Sequence, residues 1–512
     1  MRLDDQGEVI AFLSRPEAYA PVGPVERIDT HISIVWLAGP TAYKLKRAVR
    51  FDYVDFSTRE RRRAACEAEV RLNRRTVPAL YRGVRAVTRE ADGLLRIGGA
   101  GDPVDWLVEM ERFDQETLFD RLATRQQLDP RLMAGLADAI VRLHAGAEPR
   151  RDHGGREGMA WVVDGNALGL AEQGAGVFEP AGRDRLIRET RAALDHHASL
   201  LDARRQAGLV RLCHGDLHLR NICLVEGRPT LFDAIEFNED ISCIDVLYDL
   251  AFLLMDLWRR GLRLHANVVF NAYLAQTIDL GGLRLLPLFL SCRAAVRAKT
   301  SVTAAAVQGS AGRAREMEAA AREYLELALR LLQPPPPRLV AIGGLSGSGK
   351  STLAGALGPV VGAPPGALIL RSDAIRKALF GVPPAARLGP EAYKPAVSRT
   401  VYRALAEQAL TALQAGHAVI ADAVYAVPDE RAEIAAVARQ AGVPFRGVWI
   451  DGPDSVFAQR LRERVADVSD ATPDVLQLQR QVNVGAIDWR RVDGSLDATS
   501  VQRRAEESLA EP

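Results

Sequence analysis

Eight residues, GLSGSGKS from Gly344 to Ser351, carry the G-x-x-x-x-G-K-S spacing that lets a backbone loop wrap phosphate oxygens. Glycines allow the chain to curl so that successive amides point inward, and a helix springing from the loop adds its partial positive charge. The apolar run RLVAIGG precedes the loop and the helix-like STLAGAL follows it, which is the context the motif requires. Gly344, Leu345, Ser346, Gly347, Ser348, Gly349 and Thr352 complete the expected cradle, with Lys350 reaching the terminal phosphates and Ser351 ligating Mg²⁺.

Each later strand of this region ends in a polar residue. ALIL leads into RSDAIRK with Asp373, Arg376 and Lys377, AVIA into Asp422, and GVWI into Asp451. Asp373 has the chemistry to orient or deprotonate an acceptor hydroxyl, and Asp422 to hold Mg²⁺ through water. Asp451 reads as a helix cap. Arg464, ending the basic stretch before the break VADVSDAT, is the expected charge-neutralising residue of a lid.

A second constellation lies at CHGDLHLRNICL, residues 213–224, followed by LFDAIEF with Asp233 and Glu236. Asp216, Asn221 and Asp233 have the types and order of a base facing a hydroxyl, an amide and a carboxylate on a metal. His214, Asp216 and His218 offer a competing metal-hydrolase reading, set back by the lack of any further His-rich motif.

The elements that must hold these groups fall into two parts. The run QPPPPRL at 333–339 cannot continue a helix and favours a stiff spacer, giving domains at 1–332 and 338–512 with a linker at 333–337. The first part opens with HISIVWLAG and TAYKLKRAV around a Gly-Pro turn, a β-hairpin, then a helix for which Ser57 and Glu60 form a capping box. Short strands follow at GVRAVT, LLRI and VDWLVEMERF, and helical periodicity dominates from Gln115, which predicts a two-lobed α+β fold. The second part alternates strands with helical stretches and predicts a parallel α/β sheet with ligands at the strand carboxyl ends.

Composition excludes several classes. The 66 basic and 65 acidic residues leave a formal charge of +1, so neither nucleic acid nor an anionic membrane is an expected partner. The start MRLDDQGEVI has no basic end followed by an apolar block, and CIDVLYDLAFLLMDLW is broken by Asp245, Asp249 and Asp256, so neither an export signal nor a membrane span is expected. Five cysteines without a C-x-x-C pair suit a reducing cytoplasm. Only six residues are lysine (44, 46, 299, 350, 377 and 394), which draws notice to those that fall in motifs.

Two resemblances emerge from these motifs. GLSGSGKST, RSDAIRK, IADAVY with Arg431, and RERVADVSDAT resemble, in order, the small-molecule P-loop kinases of the gluconate kinase, adenylylsulfate kinase and zeta-toxin-like group. H-G-D-x-H-x-x-N with DVLYDLAFLL resembles the aminoglycoside phosphotransferases and related choline and sugar kinases. That second resemblance implies a protein-kinase-like fold with Asp216 as catalytic base, Asn221 and Asp233 as Mg²⁺ ligands, His214 supporting the loop and Asp249 structural. It also calls for a lysine on an early strand, where strand alternation sets Lys44 and Lys46 on one face. Lys46 is favoured, with Glu69 or Glu67 on the next helix as partner, and VEMERF as interlobe hinge. Together the two halves resemble bifunctional aminoglycoside phosphotransferase/ATP-binding proteins, implying ATP and Mg²⁺ as cofactors and a small-molecule phosphate acceptor. A rival expectation is a regulatory protein whose first domain is a pseudokinase.

Overall fold

The computed structural model describes residues 4–20, 23–51, 53–306, 308–383, 385–463 and 469–510. The chain forms two compact units: Met1–Gln173 with Ile187–Asp256, and Gly174–Leu186 with Leu257–Pro512.

The first unit is built on a six-stranded antiparallel sheet of β1 (Val25–Asp29), β2 (Ser33–Ala38), β3 (Thr41–Lys46), β4 (Tyr81–Arg89), β5 (Leu95–Ile97) and β6 (Asp102–Glu111), in the order β1-β2-β3-β6-β4-β5. β2 and β3 are the expected hairpin, turning at Gly39 (φ +56°) and Pro40. β1, reading VERID, escapes sequence inspection because its charged residues blur any alternation. Ile34, Trp36, Leu45, Val87 and Leu107 pack on one face, while Cys66 and Val70 of the Arg59–Asn73 helix pack with Tyr81 and Val108. That helix is capped one residue later than the Ser57 capping box predicts: the Thr58 hydroxyl accepts from the Arg61 amide at 3.4 Å. A helical body follows, interrupted by the short ladders Ile222–Val225 with Arg228–Leu231 and Val210–Leu212 with Cys243–Asp245.

The second unit carries a five-stranded sheet of β7 (Leu339–Gly344), β8 (Leu368–Arg371), β9 (Val419–Asp422), β10 (Phe445–Asp451) and β11 (Arg490–Asp493), in the order β8-β9-β7-β10-β11 with every pairing parallel. Val340, Ile342, Ile420, Val448 and Ile450 form its core with Leu353 and Leu357 of the Lys350–Leu357 helix and Val501 and Ala505 of the Ala498–Ala510 helix. Gly343 and Gly447 leave room for tryptophan rings: a Cβ on Gly447 would stand 2.3 Å from the Trp489 ring, and one on Gly343 2.9 Å from Trp449. Helices Arg263–Thr277, Leu286–Ala306 and Ala311–Leu332 group with this sheet, so the spacer at 333–337 runs inside the unit. All five cysteines are buried and none of them is in a disulfide. Among the described residues no helix is long and apolar enough to cross a membrane.

Candidate functional sites

The phosphate loop hangs between β7 and the Lys350–Leu357 helix. Gly344, Gly347 and Gly349 have φ of +141°, +82° and +97°, a region side chains rarely adopt. Space reinforces the point: a Cβ on Gly344 would lie 2.6 Å from the Ile450 carbonyl oxygen, and one on Gly347 2.5 Å from that of Phe457. Leu345 is buried against Phe457, Leu461 and Leu476, which anchors the loop's outer turn. The Ser346 amide donates to Gln479 Oε1 at 2.9 Å, and Lys350 Nζ folds back onto the Leu345 carbonyl at 3.0 Å. Ser348 is 2% exposed and its hydroxyl has no hydrogen-bond partner, an orphan that suits a loop built to receive an anion.

At the strand ends below, Ser351 Oγ donates to Asp422 Oδ2 at 2.6 Å and accepts from Arg371 Nη2 at 2.9 Å. Arg371 Nε stands 3.5 Å from the same carboxylate, since β8 and β9 pair Arg371 with Asp422. Burial pushes the Asp422 carboxyl up in pKa, with Lys350 and Arg371 pulling it down. Ser351 and Asp422 thus meet as a hydroxyl and carboxylate pair with the donor set Mg²⁺ takes in P-loop sites. No motif in the sequence assigns Arg371 a role; the signal that marks it is its place as the first residue of RSD at a strand end. Asp373 lies in the first turn of the Ser372–Leu379 helix. Its neighbours are occupied elsewhere: Arg376 Nη1 donates to the Ala392 carbonyl at 2.6 Å, and Lys377 pairs with Asp470 at 3.2 Å. Arg431 is buried on four backbone carbonyls, those of Tyr425, Ala426, Val484 and Ala486. Asp451 accepts from the Gly452 amide at 3.0 Å and from Arg491 at 2.9 Å, away from any helix cap. Thr352 follows Ser351 on the first helical turn. Arg464 lies outside the described residues.

The first unit gathers its own site. His214, Gly215 and Asp216 form a turn held by Asp249, whose two carboxylate oxygens accept from the His214 and Gly215 amides at 3.1 and 2.9 Å. Gly215 has φ +82°. Burial depresses the pKa of His214, keeping it neutral. Nδ1 then accepts from the Asp216 amide at 3.3 Å while Nε2–H donates to the Phe232 carbonyl at 2.9 Å. Asn221 Nδ2 donates to both the backbone oxygen and Oδ2 of Asp216, each at 2.9 Å, and His218 Nε2 stands 3.3 Å from that Oδ2. Asp233 adopts φ +63°, held there by its own amide donating to the Tyr81 hydroxyl at 3.2 Å and the Ala234 amide to Asn73 Oδ1 at 2.8 Å.

Both candidate lysines lie on β3 and share Glu69. Lys44 Nζ bonds Glu69 at 2.9 Å and Asp233 at 2.5 Å, while Lys46 bonds Glu69 and, at 2.5 Å, Glu236. Exposure separates them: the side chains of Lys44 and Asp233 are 12% and 42% exposed, those of Lys46 and Glu236 1% and 3%. Burial alone would lower the pKa of Lys44, but Asp233, Glu69 and Glu236 hold it well above its ordinary value. Glu67 points elsewhere and pairs with Arg63 at 2.9 Å on the exposed side of the helix. Among the described residues, groups whose donor atoms converge as a metal site would need are His144–Cys213–Asp249 and His153–Glu239–Cys243; the His214–Asp216–His218 set of the hydrolase reading is not one of them.

Residues 42–286 match the family model described as Phosphotransferase enzyme family, and residues 339–483 the model described as AAA domain. Proteins of Mycobacterium bovis and Mycobacterium tuberculosis, each called an uncharacterized protein, are 30% identical to this chain over 462 residues, which is 87% of this chain and 88% of theirs. Among solved structures, a gluconokinase from Sinorhizobium meliloti is 23% identical and aligns with 34% of this chain and 92% of its own, at a TM-score of 0.25. A choline/ethanolamine kinase family protein from Mesorhizobium loti is 15% identical over 64% of this chain and 95% of its own, at a TM-score of 0.41. The chain belongs to the family of the two mycobacterial proteins, and within it an amino-terminal phosphotransferase-family domain and a carboxyl-terminal P-loop kinase domain make it an enzyme of the ATP-dependent kinase class.

Proposed function

We propose that the protein transfers phosphate from ATP to a small-molecule acceptor and that each of its two modules binds ATP. The observation carrying this reading is the junction of Ser351, Asp422 and Arg371 beneath a loop whose three glycines hold positive φ. In the second module the loop amides and Lys350 bind the phosphate tail, Lys350 leaving the Leu345 carbonyl to do so. Ser351 and Asp422 would hold Mg²⁺, which supplies charge neutralisation across the phosphates when bound. Asp373 accepts the proton of the acceptor hydroxyl, and Arg464 is the expected lid cation.

In the first module Asp216 acts as base, kept in orientation by Asn221 and His218. Asn221 and Asp233 would hold the metal there. Lys44 rather than Lys46 takes the nucleotide phosphates, because it adjoins the exposed Asp233 carboxylate while Lys46 is sealed beneath with Glu236. Glu69 steadies both lysines.

ATP consumption by the full chain, measured against a panel of hydroxylated and phosphorylated metabolites, tests this. Acceptor-stimulated turnover should fall at least about a hundredfold in Lys350→Ala. Turnover that survives this change overturns the assignment of the second module. Unchanged turnover in Asp216→Ala would leave the first module a nucleotide-sensing partner of the second.

A further inference from the structure

The parallel sheet of the second unit has a free edge at β8, and an exposed edge normally offers unpaired amides and carbonyls to any passing strand. Here two asparagine side chains from the Arg263–Thr277 helix cover it. Asn271 Oδ1 accepts from the Ile369 amide at 2.7 Å, and Asn271 Nδ2 donates to the Ala367 carbonyl at 3.1 Å. Those are the two bonds that a neighbouring strand would make to residues 367 and 369. Asn267, 2% exposed, donates to the Ala367 and Pro365 carbonyls at 3.0 and 3.2 Å, and its Oδ1 accepts from Asn271 Nδ2 at 3.1 Å.

The approach is close enough to demand glycine opposite. A Cβ on Gly358 would lie 2.4 Å from Asn267 Oδ1, and one on Gly366 2.7 Å from Asn267 Nδ2. Beside them Phe270 meets the ring of His417 at 4.9 Å, and His417 Nε2 bonds the Gly366 carbonyl at 2.9 Å. Two residues beyond Ile369 the same strand delivers Arg371 onto Ser351 and Asp422, and two further on the chain reaches Asp373. The asparagines themselves lie inside residues 42–286, the segment matched by the phosphotransferase model.

We infer that Asn271, supported by Asn267, is a positioning residue for the P-loop site: its amide substitutes for a missing edge strand, fixes β8, and so sets Arg371 and Asp373 over Ser351 and Asp422. Nucleotide binding is spared, because the phosphate loop hangs from β7, two strands away. The functional half of this inference rests on the kinase reading of that site.

Hydrogen exchange and MgATP turnover on the full-length chain, for wild type, Asn271→Ala and Asn271→Asp, test it. Asn271 is partly exposed on a helix, so the alanine variant is expected to fold. In Asn271→Ala the Ile369 amide should exchange at least about tenfold faster, with residues 371–373 accelerating alongside it. In Asn271→Asp the carboxylate still accepts from Ile369 and protection there should persist. Turnover that depends on Lys350 should fall about tenfold in kcat in Asn271→Ala, with KM for MgATP within about twofold of wild type, and recover in part in Asn271→Asp. Wild-type protection of Ile369 in Asn271→Ala overturns the surrogate strand, and fast exchange at Ile369 with unchanged kcat overturns the positioning role. If Lys350→Ala leaves turnover intact, the kinase reading has failed instead; acceleration at residues 371–373 in Asn271→Ala then upholds the positioning of the strand end, and wild-type exchange there overturns it.

Discussion

Two lysines two residues apart on one strand share a glutamate yet sit in different surroundings. Lys46 sits between Glu69 and Glu236, all three side chains enclosed, so Lys46→Met leaves two carboxylates with only Lys44 to offset them. That change should cost about 3 kcal/mol in urea unfolding, as removing one partner of a buried ion pair does. Lys44→Met should instead leave the unfolding midpoint closer to wild type and weaken MgATP binding by the first module, read by titration calorimetry in a Lys350→Ala background. His417 gives a pH signature. Burial pushes it down from 6.5 to about 4 in the folded chain, so the unfolded state binds the proton more readily. The stability it allows is fully present above about pH 6.5 and is lost as pH falls toward 4, amounting to roughly 3 kcal/mol at the low end. His417→Gln should flatten that part of the stability-against-pH curve, measured by urea midpoints between pH 7 and 4.5.

Among the elements, β7 and β10 lie side by side with glycine where the Trp489 and Trp449 rings press on the sheet. Gly447→Ala should therefore destabilise the second unit by about 1–3 kcal/mol through overpacking, visible as a lower thermal midpoint with the far-ultraviolet dichroism unchanged. Strands are legible in the sequence as apolar runs, as in RLVAI and AVIA, or as apolar residues recurring around charges, as in TAYKLKRAV; β1 (VERID) and β11 (RRVD) are hidden because their charged residues outnumber the apolar ones that would mark a period. The phosphate loop was readable because its glycines answer a backbone demand that no other residue meets, and positive φ at 344, 347 and 349 is that demand made visible. Choosing between Lys44 and Lys46 was beyond the pattern, since a period of two gives both the same face. Their second partners separate them: the exposed Asp233 beside Lys44 and the enclosed Glu236, three residues further on, against Lys46. Asn267 and Asn271 left no trace either, because polar residues at helical spacing read as a solvated face.

Across the whole molecule, compactness and chemistry divide differently. The proline run suggests a cut at 333–337, and the compact units part between Asp256 and Leu257. Segments that precede the prolines bond the P-loop module: Asn267 and Asn271 hold the edge of its sheet, and Arg284, in the 3-10 turn Gly281–Leu285, donates to the carbonyl of Gln414 at the end of the Pro395–Gln414 helix at 2.8 Å. A protease site introduced at 333–337 and cut in the folded protein should therefore leave residues 257–332 bound to residues 338–512 on size-exclusion chromatography, parting only in denaturant.

The five enclosed sulfurs make the native chain a silent background for covalent probes. Burial lifts the thiols of Cys66, Cys223 and Cys292 to about 12 and that of Cys243 to about 11, and raises Cys213 well above its ordinary value, so reactive thiolate is scarce at neutral pH. Ellman's reagent should find almost no fast-reacting sulfur until the protein unfolds. A single cysteine introduced at Leu478, 64% exposed and one residue before the glutamine that touches the phosphate loop, would then carry a fluorophore alone. Its emission would report nucleotide arrival without any native cysteine having to be removed.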